Sequence, residues 1–150
     1  MRIVRKKSKD YPKPLTGQPK RVKVGFPSGE AGSDVIARAV WTHFGTRGGA
    51  SGGGWGGPVP ARPFLTNAMR DNMLKYRAGL RSSAADILLG RVSIKATFDK
   101  LGVMAQGDVQ ASITSLSSPP NSAVTVAMKG SSNPLIDTGE MRQAVTWKVD

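Results

Sequence analysis

The sequence predicts an α+β domain in which a small antiparallel β-sheet packs against several α-helices. Apolar and polar residues alternate at positions 22–26 and again at the C-terminus, which is the period of a half-buried strand. Between these segments, apolar residues recur every three or four positions, which is typical of helices. A chain of 150 residues is most simply one domain, long enough to bury a core. We therefore expect a basic extended N-terminal arm over residues 1–21 and a single domain over residues 22–150.

The first predicted elements are a strand and a helix. The strand covers residues 22–26 and ends at the turn signal Pro27–Gly29. Ser33 is a favoured N-cap residue, so we expect it to start a helix that runs to about Phe44. The predicted apolar face of this helix consists of Val35, Ile36, Ala39, Val40 and His43 or Phe44.

A Gly/Pro-rich loop is predicted over residues 45–60. Eight of the thirteen residues from Gly45 to Gly57 are glycine, and prolines follow, so the loop should be flexible and then stiffen. Arg47 and Trp55 interrupt the glycines, and such side chains commonly anchor protein interfaces. The alternative is a surface loop in which Trp55 folds back on its own domain.

Two further helices are predicted in the middle of the chain. The first begins at Phe64 and continues to Gly90; the second is capped by Ser93, interrupted at Gly102 and resumed to about Ser115. We expect the apolar stripe of the first helix to face the core rather than a binding surface. That stripe consists of Leu65, Met69, Met73, Tyr76 and Leu80.

The C-terminal string KGSSNPLIDTGEMRQAVTWKV predicts a turn, a short helix and a closing strand. Pro134 breaks the preceding element, and Leu135 and Ile136 form an apolar anchor. Asp137 lies three residues before Glu140, a capping-box-like arrangement in which each side chain satisfies a backbone N–H. We interpret these five residues as a structural latch that ends the domain.

The net charge of +12 is concentrated at the N-terminus, where the first 23 residues hold nine basic side chains and one acidic one. Such a proline-containing basic segment should be extended or disordered alone. Its residues Arg5, Lys6, Lys7 and Lys9 are candidates for contact with an acidic neighbour in an assembly or with DNA phosphates. A solvated tail that only aids solubility is the third possibility.

Three segments resemble one family, the neck or tail-completion proteins of long-tailed bacteriophages, also described as virion morphogenesis or minor tail proteins. Lys129–Met141 is similar to the family's C-terminal Lys-Gly, polar spacer and Pro-Leu-Ile-Asp-Thr-Gly string. Pro60–Leu65 resembles its Pro-x-Arg-Pro-Phe-Leu segment. His43–Thr46 resembles its histidine-acidic-Phe-Gly-Thr segment without the acidic residue. Order and spacing agree, so the resemblance covers roughly Val22 to Val149.

The resemblance implies a structural protein of the virion neck that joins the DNA-filled head to the tail. It implies a homo-oligomeric ring, six-fold like the tail, assembled in the host cytoplasm. The expected partners are adjacent neck, head-completion and tail-terminator or tail-tube proteins, with non-specific contact to packaged DNA and no membrane. Residues 121–128 are ambiguous, because their alternation predicts a strand whereas the resemblance implies a short helix.

The expected subunit or ring interface follows from these considerations. Arg62 belongs to it unless that side chain is the partner in a structural ion pair instead. The candidate interface residues are Arg5, Lys6, Lys7, Lys9, Arg47, Trp55 and Arg62.

The alternative function is a nucleic-acid-binding module that uses the basic arm.

The sequence offers little for catalysis, so we predict no catalytic, cofactor-binding or metal-binding residues. The chain has no cysteine, and His43 is its only histidine, expected to be buried or at an interface. The glycines of the loop satisfy G-x-G-x-x-G formally but follow a helix rather than a strand. Asp137 begins an Asp-Thr-Gly tripeptide like that of aspartic proteases, but only one copy exists.

Overall fold

The computed structural model describes residues 18–19, 21–47 and 58–150. Within them it has the predicted α+β character, helices with one two-stranded antiparallel sheet. Most of the predicted arm and the centre of the Gly-rich loop lie outside the described residues. The elements are β1 (Val22–Gly25), α1 (Ser33–Phe44), α2 (Phe64–Asp71), α3 (Met73–Leu88), α4 (Ile94–Ser115), α5 (Ala123–Lys129), α6 (Glu140–Gln143) and β2 (Thr146–Val149).

The sheet joins the two ends of the domain. β1 pairs antiparallel with β2, and the register sets Val22 opposite Val149 and Val24 opposite Trp147. The backbone pairing extends past the strands, because Arg21 and Asp150 exchange hydrogen bonds of 3.0 and 3.1 Å. The predictions of an early strand and a closing strand are therefore confirmed, and together the strands close the chain.

Helix α4 is the central element against which the sheet, α2, α3 and α6 pack. Its buried apolar residues follow a four-residue spacing, which keeps them on one helix face. Ser93 caps the helix as predicted, because its hydroxyl accepts a hydrogen bond from the Ala96 amide at 3.0 Å. The core cluster consists of Val35, Ala39, Phe64, Ala68, Val109, Ile113, Leu135, Met141 and Val145.

Gly102 does not interrupt α4, which is continuous from Ile94 to Ser115. The glycine is needed for space: a Cβ at this position would lie 2.5 Å from Cε3 and 2.8 Å from Cγ of Trp147. The indole of β2 therefore packs directly on the helix backbone. The expected break was wrong because glycine was read as a helix breaker, whereas here it permits close packing.

Two boundary predictions also differ from the structure. Ser33 lies inside α1 rather than capping it, and Gly32 occupies the N-cap position without a side-chain hydrogen bond. The long helix from Phe64 is divided at Asn72, whose side-chain amide donates to the Ala68 carbonyl at 3.0 Å. Residues 123–129, for which a strand and a short helix were both left open, form a helix that starts at a serine cap.

The cap of α5 is Ser122, whose hydroxyl accepts a hydrogen bond from the Thr125 amide at 3.2 Å. The helix ends at Gly130, whose φ of 67° is left-handed and favours glycine. Among the helices of the described residues, none is long and apolar enough to cross a membrane.

Substituting Gly102 tests the packing of α4 on the sheet. Gly102→Ala should lower the free energy of unfolding by about 1–3 kcal/mol, because the methyl group overlaps the Trp147 ring. Urea denaturation monitored by circular dichroism measures the change. Gly107 on the same helix is the matched control: its Cβ would meet nothing within 4 Å, so Gly107→Ala should stabilise by about 0.5–1 kcal/mol. Equal effects of the two substitutions would contradict the packing.

Candidate assembly surface

The two ends of the Gly-rich loop are tied together at its base. The Thr46 amide donates to the Val59 carbonyl at 2.9 Å, and the Val59 amide donates to the Thr46 hydroxyl at 3.2 Å. Closer to the domain, the Arg62 amide donates to the Thr42 carbonyl at 2.8 Å. The end of α1 and the entry to α2 therefore run side by side, and the loop leaves the domain from a fixed base.

Gly45 makes this close approach possible. Its φ of 76° is left-handed, a conformation that residues with a Cβ rarely adopt. A Cβ would also lie 2.8 Å from both the Ala61 nitrogen and the Val59 oxygen. Backbone conformation and space both require glycine where α1 ends.

The Arg62 side chain is buried, with 4% of its surface exposed. Its Nε donates to the Pro119 carbonyl at 2.8 Å, and one terminal nitrogen donates to the Pro120 carbonyl at 3.1 Å and the Asn121 side chain at 3.2 Å. Burial lowers the pKa of the guanidinium from a value so high that it stays charged. Within the part of the chain that the structure describes, the acceptors of Arg62 are uncharged and the expected ion pair is not seen. The side chain also offers almost no surface to a neighbour.

Asn133 organises the latch, a role that the sequence analysis missed. Its side-chain oxygen accepts hydrogen bonds from the Leu135 and Ile136 amides, each at 3.0 Å. Its side-chain amide donates to the Thr114 carbonyl at 2.8 Å, and its own carbonyl accepts from Asn121 at 3.4 Å. An Asn before proline is a known signal for such a turn. Leu135 is buried as the predicted anchor, with Pro134 beside it.

The capping box predicted for Asp137 and Glu140 is wrong. The Glu140 amide donates to the Thr138 hydroxyl at 3.4 Å, and the Glu140 carboxylate pairs with Arg38 at 2.5 Å. Arg38 also binds Asp34 on its own helix at 2.9 Å. Its bond to Glu140 joins α1 to α6. The box does not form because α6 begins at Glu140 with Gly139 as its N-cap, so Asp137 lies outside the capping position.

His43 is buried, as predicted, at the core side of α1. Its Nε2 lies 3.2 Å from the Thr66 hydroxyl, and its ring packs edge-on against Phe64 with centroids 5.2 Å apart. Burial lowers the pKa of His43, so the imidazole is neutral near pH 7. No three His, Cys, Asp or Glu side chains within residues 18–19, 21–47 and 58–150 come close enough to hold a metal ion.

The outer face of α1 carries a cluster of exposed large apolar side chains, which we call the α1 patch: Val40, Trp41 and Phe44. Their exposed fractions are 47%, 45% and 73%. The predicted apolar face of this helix is therefore divided, since Val40 and Phe44 point away from the core. The residues that α1 buries are Val35, Ala39 and His43.

A second apolar surface, the β1–α3 groove, has a volume of 270 Å³ and continues into a shallower depression lined by Leu65 and Met73. The methionine stripe expected in the core is split here: Met69 packs partly on the core, whereas 43% of Met73 is exposed. The apolar and aromatic side chains that line the groove are Val22, Val24, Met69, Tyr76, Leu80, Phe98, Leu101 and Ala105.

The remaining predicted interface residues are not brought together in the described part of the chain. Arg47 is exposed at the point where the loop leaves the base. Arg5, Lys6, Lys7, Lys9 and Trp55 lie outside the described residues. The α1 patch was missed because periodicity identifies apolar positions without showing which face of a helix is covered; the adjacent Val40 and Trp41 were the available signal.

No family model, curated protein or solved structure matches the chain.

Arg62 should be indispensable for stability. Arg62→Lys keeps the charge but loses the fork that reaches three acceptors, so we expect the free energy of unfolding to fall by roughly 2–3 kcal/mol. Arg70→Lys, on a side chain 69% exposed, is the control and should change it by less than about 0.5 kcal/mol. Urea denaturation compares the two. A fully stable Arg62→Lys protein would show that the observed hydrogen bonds contribute little.

Proposed function

We propose that this chain is a structural protein of the phage neck that forms a homo-oligomeric ring and joins the DNA-filled head to the tail. The observation that carries the proposal is that the three segments with the family resemblance meet in one corner of the fold. Arg62 of the second segment bonds to Thr42, beside the first segment, and to Asn121, which bonds to Asn133 of the third. These hydrogen bonds link the segments through Thr42 and Asn121, and the His43 ring of the first segment packs directly on Phe64 of the second.

A shared cavity also supports the proposal. Arg62 from the second segment and Lys129 and Pro134 from the third line one cavity of 450 Å³. Segments that resemble one family in order, and that also pack together, have the organisation expected of a single fold unit.

In the proposed mechanism the protein acts by binding its neighbours and catalyses no reaction. The domains pack side by side, and their exposed apolar surfaces supply contact area of the kind that monomers rarely leave uncovered. The basic arm over residues 1–21 and the loop over residues 45–60 reach onto adjacent subunits or adjacent rings. The loop leaves the domain from the base fixed by Thr46 and Val59, immediately after the α1 patch.

The proposed ring has six-fold symmetry like the tail and stacks on neighbouring neck, head-completion and tail-terminator or tail-tube proteins. Its location is the virion neck, after assembly in the host cytoplasm. The arm residues Arg5, Lys6, Lys7 and Lys9, and the loop residues Arg47 and Trp55, are the proposed locking contacts.

The purified full chain should form closed rings of six copies of the 15.9-kDa subunit. Native mass spectrometry gives the subunit number, and negative-stain electron microscopy shows closure. Trp55→Ala should reduce the ring fraction while leaving the thermal midpoint of the domain unchanged, because we assign Trp55 to the interface. A chain that stays monomeric at every concentration, and is missing from the particle neck when labelled, would refute the proposal.

A second candidate function is nucleic-acid binding through the arm, which the concentration of nine basic side chains in the first 23 residues favours. It predicts binding to generic duplex DNA that weakens about 10³- to 10⁵-fold between about 50 and 200 mM salt. Deleting Met1–Lys20 should then abolish binding. Under the neck proposal, the same deletion leaves a folded domain with little change in DNA affinity but impairs the joining of heads to tails.

A further inference from the structure

We propose that the cavity of 450 Å³ beside Arg62 is a binding site for a carboxylate carried by an acidic peptide segment of another molecule. We call it the Arg62 cavity. Its wall is formed by the base of the Gly-rich loop, the entry to α2, the turn before α5, α5 itself and Pro134. One chain therefore provides the whole site, and the inference goes beyond the proposed function without depending on the ring.

Arg62 brings a buried positive charge to this cavity without an acidic partner. Its side chain is 4% exposed, and its acceptors among the described residues are the Pro119 and Pro120 carbonyls and the Asn121 side chain. Charges that proteins bury are normally paired with a charge of opposite sign. An anion bound in the cavity would supply that partner.

The polar wall of the Arg62 cavity keeps donors for such an anion. Nε and Nη2 of Arg62 make its bonds to described residues, whereas the two N–H groups of Nη1 take part in none of them. Ser122 and Thr125 also line the cavity, and their hydroxyl oxygens lie 2.8 Å apart. One hydroxyl proton joins the two oxygens, so the other can be donated to a ligand oxygen.

Lys129 adds a second positive charge to the wall. In the part of the chain that the structure describes, its Nζ donates to the Asn133 carbonyl at 3.3 Å. Lys129 also lines an adjacent cavity of 180 Å³ with Asp137 and Glu140, but neither carboxylate pairs with its ammonium group, and Glu140 has an arginine partner of its own. No Asp or Glu among the described residues lines the Arg62 cavity, so both cations face it uncompensated.

The rest of the sequence offers little to neutralise these two cations. Residues 48–57 contain no Asp or Glu. Residues 1–20 contain Asp10 as their one acidic residue beside seven basic ones, and a segment of that charge is repelled by Arg62 and Lys129. The carboxylate is therefore expected from another molecule.

The volume and the apolar wall favour a carboxylate attached to a peptide over a bare ion. The cavity has the size of ligand sites, which measure about 300–1,000 Å³, whereas a water-sized ion occupies roughly 30 Å³. A Glu or Asp side chain with its neighbouring backbone fills more of this space and can place its methylene groups against apolar side chains. Those side chains are Pro58, Val59, Pro60, Pro120 and Pro134.

The test is a titration of the full-length chain with the peptide acetyl-Gly-Glu-Gly-amide, followed by two-dimensional TROSY NMR. We expect saturable shifts of the Arg62 side-chain Nε–H and of the Thr125 and Lys129 amides, with a dissociation constant of about 1 mM. The uncharged peptide acetyl-Gly-Gln-Gly-amide is the ligand control and should leave these resonances in place.

Substitutions at Lys129 separate the site from the general charge of the protein. Lys129→Met keeps the aliphatic stem and should weaken binding of the acidic peptide by roughly 10-fold or more, because a charge-assisted hydrogen bond is lost. Lys129→Arg keeps the charge and should retain most of the affinity. Lys100→Met removes the same charge at an exposed position of α4 outside the cavity, and it should bind like the unaltered chain. Thermal midpoints show that each variant is folded.

Four results would overturn the assignment. The first is that the three resonances do not move at peptide concentrations far above the expected dissociation constant, and the second is that Lys100→Met weakens binding as much as Lys129→Met. Inorganic phosphate or a short DNA duplex that binds the cavity more tightly than the peptide would assign it to phosphate groups. Asp10→Asn that raises peptide affinity would show that the chain's own arm occupies it. A monomeric chain that binds the peptide as expected would refute the ring and support the site.

Discussion

The buried guanidinium of Arg62 is the contact on which one corner of the fold depends. A planar group with several donors can bind carbonyls that point in different directions, and here it joins the entry of α2 to the segment before α5. The Arg62 backbone amide donates to the Thr42 carbonyl at the end of α1. The Asn121 side chain in turn donates to the Asn133 carbonyl. Charged donors also offset the cost of burying backbone carbonyls that no helix or sheet satisfies.

The hydrogen bonds of Arg62 fix the end of α1, and one face of this helix packs on the core. Val35, Ala39 and His43 are covered, and the aromatic pair of Trp41 and Phe44 remains in water. Apolar side chains exposed together in this way are available for contact with another molecule. The three resembling segments lie at the same corner, which is also where the base of the Gly-rich loop is fixed.

The C-terminal string illustrates how local and tertiary forces compete. Leu135 is the buried anchor that its position after Pro134 predicted. The turn at Pro134 places this apolar side chain in the core. The capping box failed because α6 begins at Glu140 with Gly139, in a left-handed conformation, as its N-cap, so Asp137 and Glu140 do not occupy the two positions of such a box. The Glu140 carboxylate pairs instead with Arg38 of α1, a charged partner that only the tertiary structure brings near.

The sequence by itself determined the mixed α+β class, the two strands, the Ser93 cap and the buried position of His43, because periodicity and capping act over a few neighbouring residues. Only the tertiary structure decided which face of α1 is covered, and whether Gly102 breaks or packs a helix. Those outcomes depend on the Trp147 ring and on helices brought close by the closed chain, over separations that local patterns do not encode.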